Sequence, residues 1–165
     1  MNLYFFRNRR KPAAACVIPA LIGNDMAKNE CIESIGQKPP FRYVDELVYV
    51  NRHTREARIA LHLNRGNTRY GLDALQGFLL IEAMAQAGGV LLRSITLGEP
   101  GGYLVGLENA RIPEKVASEE IFLDVSLKTA CPPIFSFCVQ AKSDSICIAE
   151  SEIQIMSKRL LHGSL

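Results

Sequence analysis

A single carboxylate inside an apolar helix is the part of this chain best suited to chemistry. The stretch Gly77-Phe78-Leu79-Leu80-Ile81-Glu82-Ala83-Met84-Ala85-Gln86-Ala87 carries one acid and no base. One turn away on either side stand Phe78, Leu79, Ala85 and Gln86, so no helical neighbour offers Glu82 a counter-charge. Burying an unpaired carboxylate is expensive, and relief comes from a retained proton or a dedicated hydrogen bond. Acids held this way concentrate in active sites, where they act as general acids or bases. The plainer alternative makes Glu82 structural, capped by Gln86 or placed at a dimer seam.

The side chains that titrate nearest neutral pH are the three histidines, His53, His62 and His162. His53 falls in the turn Asn51-Arg52-His53-Thr54 and His162 in a polar tail, so neither is a good base. His62 ends a strand-like run in which Ile59, Leu61 and Leu63 share one face and Arg58, Ala60 and His62 the other. If the leucines face the helix, His62 faces away. A bulge or an early strand end would turn it inward, since a one-residue slip reverses the face. The five cysteines have no C-x-x-C spacing and imply neither a metal site nor a disulfide framework. A reducing, cytoplasmic setting follows as the simpler expectation.

Residues 75–95 must supply the helix that holds Glu82. They are apolar nearly all round and contain the close-packing pair Gly88-Gly89, so this helix should be central and buried. Everything after it reads as β. Tyr103 to Leu107 is one strand. In the next, Ile121, Leu123, Val125 and Leu127 alternate with Phe122, Asp124, Ser126 and Lys128. Ile134 to Lys142 and Ile146 to Met156 form a hairpin across Ser143-Asp144-Ser145. With the segment Phe41 to Val50 and the His62 strand, one buried helix meets roughly five or six antiparallel strands, an α+β arrangement.

A chain of 165 residues is long enough for one domain with its own core. Its net charge of +2 hides an uneven distribution. Arg7, Arg9, Arg10 and Lys11 face only Asp25 in the first 25 residues, so the remainder is near −1. No basic groove for nucleic acid is visible there. The apolar stretch from Ala13 to Gly23 is broken by Pro19 and is too short to span a bilayer. Residues 1–39 are expected to be a disordered or spurious leader, 40–158 the domain, and 159–165 a tail.

From Pro40 to Lys158 the residues resemble the bacterial 3-hydroxyacyl-(acyl-carrier-protein) dehydratases of the hotdog fold. Phe41-Arg42-Tyr43-Val44-Asp45 is similar to their opening "PFxxVD" segment, and Leu80 to Ala87 to their central-helix signature. Gly106-Leu107-Glu108-Asn109-Ala110-Arg111 resembles the "GIxxAR" stretch, and Ala149-Glu150-Ser151-Glu152 fits the closing strand. The resemblance implies an antiparallel sheet wrapped around one long helix. It also implies syn removal of water from a 3-hydroxyacyl thioester. In that reaction a histidine takes the α proton, the helix acid helps the 3-hydroxyl leave, and backbone N–H groups at the helix start polarise the thioester oxygen.

Glu82 occupies the acid position. The family's H-F-P-G-x-P-x-x-P-G loop falls on Thr68 to Gly77, where Gly71 and Gly77 match but Thr68 replaces the histidine. Asp73 and Gln76 replace prolines. Threonine is no base near neutral pH, so catalysis by Glu82 would call on His62 as a relocated base. Gly71, Gly77, Phe78, Leu79 and Gln86 are the expected substrate-binding residues. Three functions compete: a dehydratase on acyl-carrier-protein or coenzyme A thioesters in fatty acid, polyketide or pigment synthesis; a thioesterase; and a catalytically silent acyl-binding subunit. The silent subunit would bind acyl chains or pair with an active partner. A homodimer or higher oligomer is the expected assembly, with no resident cofactor or metal, no nucleic acid and no membrane.

Overall fold

Alternation along one strand decides which face of the sheet is inside. In β6 (Glu120–Cys131) Ile121, Leu123 and Val125 are buried, while Phe122, Asp124 and Ser126 on the other face are only partly covered. β6 pairs antiparallel with β7 (Ile134–Ser143), and β7 with β8 (Ile146–Ser157). The β7–β8 connection is Asp144-Ser145, with φ of 48° and 69°. Two successive positive φ values are the backbone of a type I′ turn, whose twist matches the flanking strands. The structure, a computed structural model, describes residues 32–33, 35–38, 41–63, 75–96 and 102–158.

β1 (Glu46–Asn51), β2 (Glu56–His62) and β4 (Gly102–Arg111) complete a six-stranded sheet of order β1-β2-β6-β7-β8-β4, antiparallel throughout. The two-residue strands β3 (Leu75–Gln76) and β5 (Lys115–Val116) pair separately. The sheet curves over α1 (Gly77–Ile95). Leu80, Met84, Val90 and Leu91 are 0% exposed. Each such side chain contributes about 1.5–3 kcal/mol by leaving water. Small residues let the helix seat closely: a Cβ on Gly88 would lie 2.6 Å from Ile153 Cδ1. By length and composition α1 could cross a membrane, but it is the core helix, with 56% of its most apolar window buried.

Two expectations need correcting. Ile32 is 4% exposed in the core and Ile35 packs against that core, so part of the expected leader over residues 1–39 belongs to the domain. Two isoleucines without a periodic run gave no signal. The strand expected over Tyr103 to Leu107 runs from Gly102 to Arg111. Its register slips between Leu104 and Gly106 and again between Glu108 and Arg111, which breaks the period-two pattern.

On the outer face Arg58 grips Asp124 through two nitrogens at 2.6 and 2.8 Å, and Lys142 Nζ reaches the same carboxylate at 2.9 Å. The Arg58 hydrogen bond, reinforced by Lys142 against the opposing effect of burial, holds the Asp124 carboxyl below its ordinary range. A depressed folded-state pKa stabilises the fold above the unfolded value, about 3.9, and that contribution fades as pH falls through the folded value. Asp124→Asn is therefore expected to lower Tm near pH 7 and to matter progressively less below about pH 4. Thermal melts of both proteins from neutral to strongly acidic pH check this; a constant difference would contradict it.

Candidate active site

The helix acid is held by a neighbour that is itself fully committed. Gln86, one turn after Glu82, is 4% exposed. Its Oε1 accepts the Tyr43 N–H at 2.8 Å, while Nε2 donates to the Phe41 carbonyl at 2.8 Å and to Glu82 Oε1 at 3.0 Å. Both amide hydrogens and the carbonyl are used, which fixes the amide's orientation. One side chain thus fastens the segment before β1 to α1 and aims the carboxyl. This explains the Phe41 to Asp45 segment physically. Val44 is 0% exposed in the core, and Asp45 Oδ2 accepts the backbone N–H of His62 at 2.8 Å.

Glu82 is half-buried rather than enclosed, because its carboxyl borders a cavity of about 460 Å³. Glu82, Gln86, Gly89 and Arg93 line it along one face of α1. Gly102, Tyr103 and Leu104 of β4 form another wall, with Ile155 and Lys158 at the end of β8 and Ile35 to Gln37 closing the side. At Gly89 a Cβ would meet nothing within 4 Å, so the cavity passes over that glycine. Lys158 Nζ stands 4.9 Å from the centre of the Tyr103 ring, within cation–π range.

His62 is not brought to Glu82: it is absent from the cavity lining. Its Nδ1 lies 2.9 Å from Glu120 Oε1 and its Nε2 3.9 Å from Glu46 Oε2, with 14% of the side chain exposed. The β2–β6 register sets His62 directly opposite Glu120, so its neighbours are cross-strand carboxylates on the face opposite Leu61. Parity gave the face correctly, whereas the covering carboxylates were not foreseen. Thr68 and Gly71 lie outside the described residues.

Gly77 is buried, and its N–H donates to the Glu114 carbonyl at 2.8 Å, so that donor is already used. Its lack of a Cβ has another cause: a Cβ there would sit 2.1 Å from the Pro113 carbonyl oxygen. Phe78 is 68% exposed and Leu79 packs against the core; neither lines the Glu82 cavity. Of the expected substrate-binding residues, Gln86 alone among the described ones borders it.

Sequence reasoning missed Arg93, Gly89, Tyr103 and Lys158. The first two were detectable, because Glu82, Gln86, Gly89 and Arg93 follow the i, i+4, i+7, i+11 spacing of one helical stripe. Tyr103 and Lys158 reach the cavity through β4–β8 pairing, in which Tyr103 faces Met156. Nothing local marks that contact.

No family model and no curated protein matches the chain. Solved structures do. The dehydratase heterocomplex ApeI:P from Xenorhabdus doucetiae superposes with a TM-score of 0.68 at 15% identity, over 83% of this chain and 96% of that one. A hypothetical thioesterase from Streptococcus pneumoniae, crystallised with coenzyme A, gives 0.54 at 9% identity, covering 68% and 84%. A thioesterase from Haemophilus influenzae gives 0.56 at 13% identity, covering 73% and 82%. Likeness at such identities carries the fold and nothing finer. Six antiparallel strands curved over one long helix, an arrangement these dehydratase and thioesterase structures share, make this a hotdog-fold domain.

Proposed function

We propose that the chain acts on acyl thioesters of an acyl carrier protein or coenzyme A in the cytoplasm, as a 3-hydroxyacyl thioester dehydratase with Glu82 as its working acid. One observation carries this: a carboxyl on the core helix, aimed by the buried Gln86, borders a cavity of about 460 Å³. In the elimination direction Glu82 gives its proton to the 3-hydroxyl as the C–O bond breaks, and a base removes the α proton. His62 is the residue proposed for that second role, although it stands outside this chain's own cavity lining. Thr68, at the family's histidine position, has no basicity to supply it. The solved structures that superpose on the chain include a dehydratase complex, which agrees with the reading.

Hydrolysis is the second reading, favoured by the absence of a histidine from the described cavity lining. A lone carboxylate can take a proton from water as the resulting hydroxide attacks the thioester carbonyl and the thiolate leaves. Incubating the purified chain with crotonyl and longer 2-enoyl pantetheine thioesters separates the two. Loss of enoyl absorbance without free thiol is expected. Thiol release alone would transfer the assignment to hydrolysis, and neither signal at any chain length would leave the silent acyl-binding subunit.

The same reading includes a dimer across the β4 edge. β4 ends the sheet, and its Tyr103, Leu104, Val105 and Leu107 are exposed at 52%, 42%, 46% and 40%. An apolar open edge invites pairing. Gly102 to Leu104 also line the Glu82 cavity, so a second copy docked there would complete its wall. Light scattering at micromolar concentration is expected to give a dimer, and Val105→Lys to weaken it; a monomeric wild type would overturn this.

A further inference from the structure

The Glu82 cavity has two chemically different ends. Arg93 lies about 16 Å beyond Glu82 along the axis of α1 at 1.5 Å per residue, and both border the same space. Spread over that length, 460 Å³ leaves a mean cross-section of about 30 Å², enough for one extended chain. Arg93 Nε is buried and has no hydrogen-bond partner among the described residues. Its place in the last turn favours a positive charge near the helix C-terminus but does not satisfy that N–H. Lys158, the residue after the Gly102–Ser157 pair, borders the same cavity, its ammonium over the Tyr103 ring. Two cations therefore line the cavity, and the only carboxylate among its described lining residues is that of Glu82.

We infer that Arg93 and Lys158 form an anion-binding subsite, so that the cavity takes a linear ligand bearing a phosphate or carboxylate about 15 Å from the group handled by Glu82. The assignment of the Glu82 end rests on the thioester reading; the anion subsite rests on the cations themselves. Two sources supply such an anion. The phosphate of a phosphopantetheine arm is about thirteen bonds from the thioester sulfur, roughly 15 Å when extended. A terminal carboxylate on a medium-length acyl chain reaches as far in the opposite chemical direction. In either case a guanidinium fork and an ammonium supply charge-assisted hydrogen bonds in a partly dry space.

Calorimetric titration of the full chain with unreactive thioethers tests this. One pair is S-butyl phosphopantetheine and its phosphate-free counterpart; the other is an N-acetylcysteamine thioether with a terminal carboxylate and its methyl ester. At least one anion should bind about tenfold tighter than its neutral partner, and the pair that does so identifies the source. That preference should fall to about twofold or less in Arg93→Met and in Lys158→Met, and return in Arg93→Lys. No preference in either pair, no binding at all, or variants that weaken charged and neutral ligands equally would overturn the subsite. Lys158→Met, at a strand end, decides the matter if Arg93→Met does not fold. Glu82→Gln should retain the preference; a wild type without turnover but with intact discrimination refutes the catalytic reading and leaves the subsite standing.

Discussion

Glu82→Gln is expected to lower enoyl-thioester turnover by about 10²–10⁴-fold while leaving the fold intact. Glutamine keeps the shape and can still accept the Gln86 Nε2 hydrogen bond, which is 3.0 Å in the wild type. What it removes is the transferable proton. Activity should therefore vanish with little change in Tm, and steady-state assays beside thermal melts read both. His62→Ala should reproduce the loss only if His62 reaches the substrate as base. Thr68→His should raise turnover if the substitution at the family's histidine position is what limits the enzyme. An inactive wild type whose Glu82→Gln variant unfolds would make Glu82 structural and the chain a silent subunit.

The second large effect is expected at Gln86. Gln86→Leu keeps much of the volume but strips partners from the Phe41 carbonyl and the Tyr43 N–H, both held at 2.8 Å. Leaving a buried backbone group unpaired costs about 1–3 kcal/mol. The Tyr43 N–H is buried and the Phe41 bond only partly, so a loss of about 2–4 kcal/mol is expected in denaturant titration. Turnover should fall as well, because the carboxyl loses the group that aims it. Gln86→Glu retains an acceptor for Tyr43 but cannot donate to Phe41 when ionised. It should fall between the two in stability and bring a second carboxylate beside Glu82. A Gln86→Leu protein as stable and active as the wild type would show that the three hydrogen bonds do not matter.

The sequence disclosed elements wherever one face of a segment alternates or is wholly apolar. β6, β7 and β8 announce themselves by period two, and α1 by apolar residues on every side. β4 concealed its length, since apolar residues exposed at the sheet edge and two register shifts erase the alternation. β3 and β5, two residues each, carry too little pattern to read. Glu82 was legible as an acid in apolar company, and so was its hydrogen bond with Gln86 one turn on. The clamp on Phe41 and Tyr43 was not, because it joins residues more than forty positions apart. The cationic end of the cavity escaped for a related reason. Arg93 and Lys158 are each unremarkable locally, and only the folded chain brings them to one space.

The order of strands also bears on how the cavity comes to exist. β6, β7 and β8 are consecutive and joined by tight turns, whereas β2 meets β6 only after about 60 residues of intervening chain, as in the pairing of Leu61 with Ile121. Closing that loop is entropically far more demanding than zipping neighbouring strands, so the three-stranded meander is the natural nucleus and the outer strands join later. The Glu82 cavity lies between α1, the outermost strand β4 and the end of β8. One of its walls is thus the edge strand β4, paired on one side only and the part most ready to loosen in partial opening of the native state. A ligand that bridges α1 and β4 would stiffen the periphery of this protein more than its centre.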